Sequence, residues 1–328
     1  MPRNSTPYRK KTYCALALDP IHVGASGERQ MSIVDNTIVR DPATNLPKIP
    51  GTSLAGAART YTAMHYPEKF QRPSKDSAGN LVMVSCAGRR DVADIEHCGE
   101  PDCPVCVCYG FTQGDDISFP SMTQFFDVQI LFFPVRSMLG PVWVTSIATV
   151  KNLVEAGILN AQDINLRLEP DSTEIQTNLK SGKLNLGWLM LTIKERSDII
   201  NETGKTALRR FNIPAEIVNN LVLVSERLFG HIVDDNLEVR TSTAIDPLTG
   251  AAKSGALFSY EAIPRSTVMW FDVVYKEPSD FRIDNVPIDK DIPWVIENVE
   301  KGFAYMEHLG VGGMTTRGMG RFKILNLE

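Results

Sequence analysis

A chain of 328 residues, 43% hydrophobic and 22% charged, has ordinary globular composition and enough apolar material for a large core. A formal net charge of −5 excludes a uniformly basic surface, although a local groove of Arg and Lys is enough to hold phosphates. No apolar run is long enough for a membrane span, and Cys14 to Leu18, behind the basic MPRNSTPYRKK, is too short for a signal-peptide core; a cytoplasmic protein that meets no membrane is expected.

Residues Tyr13 to Leu18 read as a strand that ends at Asp19-Pro20, followed by a loop with His22 and Gly24. The next stretch, IVDNTIVRDPATNLPKIPGTSLAGAAR from Ile33 to Arg59, carries Asp35, then turn signals at Asp41-Pro42 and Asn45-Leu46-Pro47. A helix is expected from about Ser53 to about Met64, with Thr52 or Ser53 as its N-cap and Pro67 as its stop. A helix start behind Gly51 presents N–H groups suited to a phosphate. On the residues alone, Asp35 also fits an ordinary loop with a solvated carboxylate.

Residues 68–110 form a polar, Cys-rich insertion containing five of the six cysteines. Cys103-Pro104-Val105-Cys106 has knuckle spacing, and Cys86 and Cys98 complete four soft thiolate ligands for a structural Zn²⁺. His97 competes as fourth ligand, Cys108 is expected to point into the core, and free thiols or a redox Cys-x-x-Cys remain alternatives.

Val128 to Val135 is apolar enough for a strand covered on both faces. Ile147, Val150, Leu153 and Val154 follow helical spacing, capped by Thr145 or Ser146 and stopped near Gly157. Residues 158–214 read as a second insertion carrying a hairpin. Leu221 to Ser225 is a strand and Ser225-Glu226 opens a helix through Val233. Asp246-Pro247-Leu248-Thr249-Gly250 turns a hairpin spanning 237–265. A strand from Ser266 to Tyr275, a helix from about Pro293 to His308, a glycine-rich loop LGVGGMTTRGMGR and a strand from Arg321 to Leu327 close the chain. Strand–helix–strand at each end implies an α+β fold, a ferredoxin-like (RRM-like) βαββαβ palm with large insertions in one elaborated domain, 1–328.

Val34, Asp35, Ile38 and Arg40, followed by Ile49, Pro50, Gly51, Thr52, Ser53, Leu54, Gly56 and Arg59, resemble the amino-terminal signature of the RAMP superfamily, whose members build the backbone of CRISPR effector complexes. Thr37 replaces the family's proline and Ala55 its lysine. The loop from Leu309 to Arg321 resembles the family's carboxy-terminal glycine-rich loop, and FFPVRSMLGPVWVTS, LVLVSERLFG and GALFSYEAIP resemble backbone subunits of the type III-B, or Cmr, complex more than their type III-A counterparts.

The resemblance implies an RNA endonuclease subunit that stacks with further copies of itself and other type III subunits along a CRISPR guide RNA and cuts single-stranded target RNA. It implies Asp35 as the catalytic carboxylate, aided by Mg²⁺ or a similar divalent ion, with His22 and Glu261 as helpers. Guide contacts would come from the sheet face and from Arg40, Gly51, Thr52, Ser53, Arg59, Arg240, Thr243, Gly313, Thr316, Arg317 and Gly318. The hairpin at 237–265 would be a thumb that wedges into the guide–target duplex. A non-catalytic RNA-binding scaffold and a guide-processing endonuclease are the competing readings.

Overall fold

Alternation along Tyr8–Ala17 (β1) sends Tyr13, Ala15 and Ala17 into one core and Cys14 and Leu16 towards another. The computed structural model describes residues 6–25, 34–75, 79–88, 95–113, 117–169, 171–253 and 255–327. The basic start Met1 to Ser5, Ile33 ahead of Asp35 and positions 89–94 of the cysteine window lie outside the described residues.

After β1 come helices α1 (Gly51–His65) and α2 (Pro67–Phe70), strand β2 (Leu81–Val84) and helix α3 (Pro104–Tyr109). A hairpin of β3 (Val128–Ser137) and β4 (Gly140–Ser146) leads into α4 (Ile147–Glu155). Pairing of β3 with its carboxy-terminal neighbour strand ends at Phe132, ahead of Pro134, which would interrupt a longer ladder. Then follow β5 (Ile175–Thr177), β6 (Lys183–Leu186), β7 (Leu189–Glu195), α5 (Glu202–Arg210), α6 (Ala215–Asn219), β8 (Leu221–Val224) and α7 (Glu226–Asp235). The hairpin of β9 (Glu238–Ser242) and β10 (Phe258–Ala262) precedes β11 (Val268–Lys276), α8 (Ile292–Leu309) and β12 (Phe322–Ile324).

The large sheet has eleven strands, with main path β6-β7-β5-β8-β4-β3-β11-β1-β12. Along β3-β11-β1-β12 every neighbour is antiparallel, and β1 pairs with β11 from Tyr8 opposite Lys276 to Leu16 opposite Val268. Residues 158–214, rather than standing apart, join this sheet through β5, which pairs with β8. Helices α1, α3 and α8 cover one face of β1 and β11, where Leu54, Ala58, Val295, Val299, Phe303 and Met306 meet Tyr13, Phe271 and Tyr275. Phe303 lies edge-on to Tyr13 and Phe271 at 5.2 and 5.8 Å, and its complete burial contributes about 2–3 kcal/mol.

Helices α4, α5 and α6 cover the opposite face around Cys14, Phe132, Trp143 and Val268. Leu16 and Trp270 pack against that second core, so this part of the sheet face, from which guide contacts were expected, is covered.

The start of α1 also departs from expectation. Pro50, extended at φ −56° and ψ 140°, is its N-cap, and neither Thr52 nor Ser53 caps the helix. A distant carboxylate does so instead: the Gly51 N–H donates to Asp127 Oδ1 at 2.9 Å. Glycine is required at 51, since a Cβ there would stand 2.4 Å from the Phe125 carbonyl oxygen. The α4 cap falls on Ser146, which accepts from the Thr149 N–H.

Helices α1 and α8 cross closely at Gly302, where a Cβ would lie 2.4 Å from Thr62 Oγ1 and 2.5 Å from the Ala58 carbonyl oxygen. Gly302→Val is expected to lower unfolding free energy by about 1–3 kcal/mol through overpacking. Gly56→Ala, on α1 with nothing within 4 Å, is expected to raise it by about 0.5–1 kcal/mol. Denaturant titration of both variants checks the pair.

Candidate functional site

Strand β10 is the spine of the site. One edge pairs with β9, and the segment around Asn36 attaches to the chain near Tyr260. The Asn36 N–H donates to Ser259 O (3.1 Å) and the Glu261 N–H to Asn36 O (3.0 Å). Exposed Asp35 is tied to the same strand: its Oδ2 accepts from the Ser259 N–H (2.8 Å) and hydroxyl (3.0 Å), while its own N–H donates to Ser259 Oγ (3.1 Å). Two residues on, the buried Glu261 carboxylate accepts from the Ile38 N–H (3.4 Å) and Arg40 Nη2 (3.3 Å).

The alternate side chains of β10 meet the glycine-rich loop. Phe258 and Tyr260 pack with Met314 and Met319, and the Arg317 guanidinium lies 5.7 Å over the Phe258 ring. Met314 and Gly318, at φ +61° and +76°, flank a single 3₁₀ turn that leaves Thr316 and Arg317 exposed. His22 links the two sides. Its Nδ1 is 2.6 Å from the Glu261 carbonyl oxygen, so Nδ1 carries the proton, and its own carbonyl accepts from the Gly313 N–H (2.7 Å). His22 and Glu261 are 6% and 9% exposed, which makes them braces of the loop assembly rather than groups facing solvent.

The structure thus gathers Asp35, His22, Glu261, Arg40, Gly313 and the Thr316–Gly318 turn around one strand, with Arg240 on neighbouring β9 and exposed Thr243 just beyond it. Several cations are already engaged by protein carboxylates. Arg40 bonds Asp234 and Glu261 and the Asn45 carbonyl, and Arg240 Nε donates to Glu238 at 2.6 Å. Thr52 is exposed and Ser53 half-buried at the α1 start. There, Asp127 holds Gly51 and pairs with Lys48 Nζ at 2.7 Å. Phe258, Ser259 and Tyr260 were read only as part of the GALFSYEAIP motif, without a role, and Asp127 was not singled out from the sequence. Ser259 lies 224 positions from Asp35, and no spacing rule connects them.

Four cysteines converge in the second cluster. Sγ of Cys86 lies 3.6 Å from those of Cys98 and Cys106 and 4.0 Å from that of Cys103, and Cys98 and Cys106 are 3.8 Å apart. A tetrahedral ion with bonds of about 2.3 Å sets sulfurs about 3.8 Å apart, so the four fit one metal. Cys103 caps α3 and accepts from the Cys106 N–H (3.4 Å). The Cys86 thiol is held well below its usual range by hydrogen bonds from the other thiols, whereas Cys106 is pushed up by the same neighbours; four thiolates together need a cation. His97 stands outside the four-sulfur set, against Arg59 and Phe111. Cys108 is fully buried in the core and its thiol is raised by burial.

With this geometry in place, the comparisons define the class: a model of the RAMP superfamily matches residues 15–323, and the chain belongs to that family. Among its relatives is the CRISPR system Cmr endoribonuclease Cmr4 of Pyrococcus furiosus, 22% identical over 315 residues that cover 94% of this chain and 92% of the relative. A chain of the type III-B Cmr-beta complex bound to cognate target RNA superposes with a TM-score of 0.62 at 14% identity, over 98% of both chains. The oligomeric Cmr4 of Pyrococcus furiosus gives 0.54 at 16%, over 97% of this chain and 98% of that one. At these identities the superpositions establish the fold. None of the helices among the described residues is long and apolar enough to cross a membrane.

Burial alone would raise the Asp127 carboxyl, but hydrogen bonds from Lys48 and the Gly51 N–H outweigh it and hold the group below the usual carboxylate range. Its stabilisation is therefore present above the unfolded value of about 4 and is lost as pH falls through the depressed folded value. The stability gap between wild type and Asp127→Asn is expected to be constant above pH about 5 and to close on further acidification, as read by denaturant titration across pH.

Proposed function

We propose that this chain is a backbone subunit of a type III-B CRISPR ribonucleoprotein, binding guide RNA and cleaving complementary target RNA at regular intervals. The observation that carries this is the convergence on β10: the Asp35 carboxylate and the Arg317 turn are both held to one strand of the hairpin. The antiparallel order β3-β11-β1-β12, with α1 and α8 on one face, supports a ferredoxin-like palm. Because helices cover part of its other face, guide contacts are assigned to the loops at the α1 start and at 313–318. Further copies of the chain, the other subunits of the complex and both RNAs are its partners, in the cytoplasm.

The hairpin 237–265 serves as the thumb. Its outer part carries Ile245, Leu248 and Leu257, 56%, 94% and 69% exposed, large apolar side chains suited to unstacking a base step. The distorted strand then presents a ribose 2′-hydroxyl in line with the adjacent phosphorus: the 2′-oxygen attacks, the 5′-oxygen leaves, and Asp35 assists removal of the hydroxyl proton. Ser259 fixes the carboxylate through two donors, so orientation is settled before RNA arrives. A Mg²⁺ ion would be held by Asp35 together with RNA phosphate oxygens, and its chemistry there is neutralisation of charge at the scissile phosphate. The cysteine cluster is assigned a structural Zn²⁺ held by Cys86, Cys98, Cys103 and Cys106, with His97 behind them.

Asp35→Asn retains an oxygen that can accept from Ser259. In a reconstituted complex it is expected to keep assembly and target binding and to lose the regularly spaced cuts by about 100-fold or more. Gel analysis of cleavage and filter binding of the same preparation separate the two; parallel loss of binding would make Asp35 a structural residue.

A further inference from the structure

Arg59 closes the amino-terminal signature, yet it does not face the β10 site. Its Nε–H donates to the Cys86 carbonyl oxygen at 2.8 Å, and Nη2 stands 3.3 Å from Nδ1 of His97. On another side of the sulfurs, Lys69 Nζ is 3.9 Å from Cys98 Sγ, and the Lys69 carbonyl accepts from the Cys86 N–H at 2.9 Å. Lys69 is shared with Glu100. Two cations therefore frame the four cysteines, each also bonded to the backbone or side chain of a residue in the cluster.

A divalent ion bound by four thiolates carries a net charge of about −2, and partly buried charge of that size needs compensation. An arginine committed to RNA phosphates would present its fork outward; here the fork is turned inward and the chain around Cys86 is bonded to α1 through it. We propose that Arg59 is a positioning residue of the metal centre: with Lys69 it offsets the tetrathiolate charge and fastens Cys86 to α1, rather than contacting RNA. This rests on the assignment of the cysteines to zinc. It also explains why a helix whose start lies near the RNA-handling loops is joined at its middle to an insertion: the centre sets the position of α1.

The test uses the full chain and the variants Arg59→Met, Arg59→Lys and Lys69→Met. Zinc content is measured by elemental analysis, zinc release by transfer to a chromophoric chelator, and the sulfur environment by the thiolate-to-cobalt charge-transfer band after Co²⁺ substitution. Wild type is expected to hold one zinc. Arg59→Met should release it about 10-fold faster or more, Lys69→Met should also be faster, and Arg59→Lys should fall between, since an ammonium cannot keep both guanidinium contacts. If Arg59→Met fails to fold, the release rates of the other two variants decide. Release at the wild-type rate, above all with weakened RNA binding, overturns the inference and returns Arg59 to the RNA surface. Wild type that binds neither zinc nor cobalt overturns the zinc assignment itself, a distinguishable result.

Discussion

The nine-residue antiparallel ladder between β1 and β11 is the contact on which the other arrangements depend. It joins the first described strand to one more than 250 positions later, with Thr12 opposite Asp272 at its centre and Tyr13 opposite Phe271 beside it. Because β12 also runs antiparallel to β1, the loop that leaves β1 and the loop that enters β12 emerge at the same end of the sheet. His22 and Gly313 meet there through a backbone hydrogen bond. Two motif-bearing loops, almost 300 residues apart, become neighbours through strand direction alone.

Within that end, β10 decides what faces what. Period-two alternation gives Ser259 and Glu261 to the Asp35 segment and Phe258 and Tyr260 to the glycine-rich loop. The carboxylates nearby are mostly neutralised by paired arginines, as in Arg40 with Glu261 and Asp234, or Arg321 with Asp19. This reconciles an acidic chain with the proposed nucleic-acid role: the sign of the whole molecule matters less than which cations stay exposed, and Arg317 does.

Much of the architecture was legible in local patterns. The helix expected from about Pro293 to His308 is present and buries Val295, Val299, Phe303 and Met306, Ser146, one of two expected caps, caps α4, and the Asp246 turn joins β9 to β10. The convergence of Cys86, Cys98, Cys103 and Cys106 was also readable, because knuckle spacing is a local signal with a fixed geometric demand. Misreadings came where a distant group overrode a local one. Thr52 and Ser53 are good caps by type, but the Asp127 carboxylate reaches the Gly51 N–H first. In the case of Arg59, the signature is silent on a contact rather than misread: its Nε–H donates to the Cys86 carbonyl, 27 positions on. Coverage of the sheet by α4 to α6 depends on how residues 158–214 join the sheet through β5, a long-range pairing without a local signature.

The bare α-carbon at Gly302 has a mechanical meaning. With the Ala58 carbonyl and the Thr62 hydroxyl packed on it, the crossing of α1 and α8 leaves little room to slide along either arm. One arm begins at Gly51 and the other ends at Gly310, where the glycine-rich loop departs. The spacing between the loops at those two ends is thus set at a crossing that only a residue without a side chain allows.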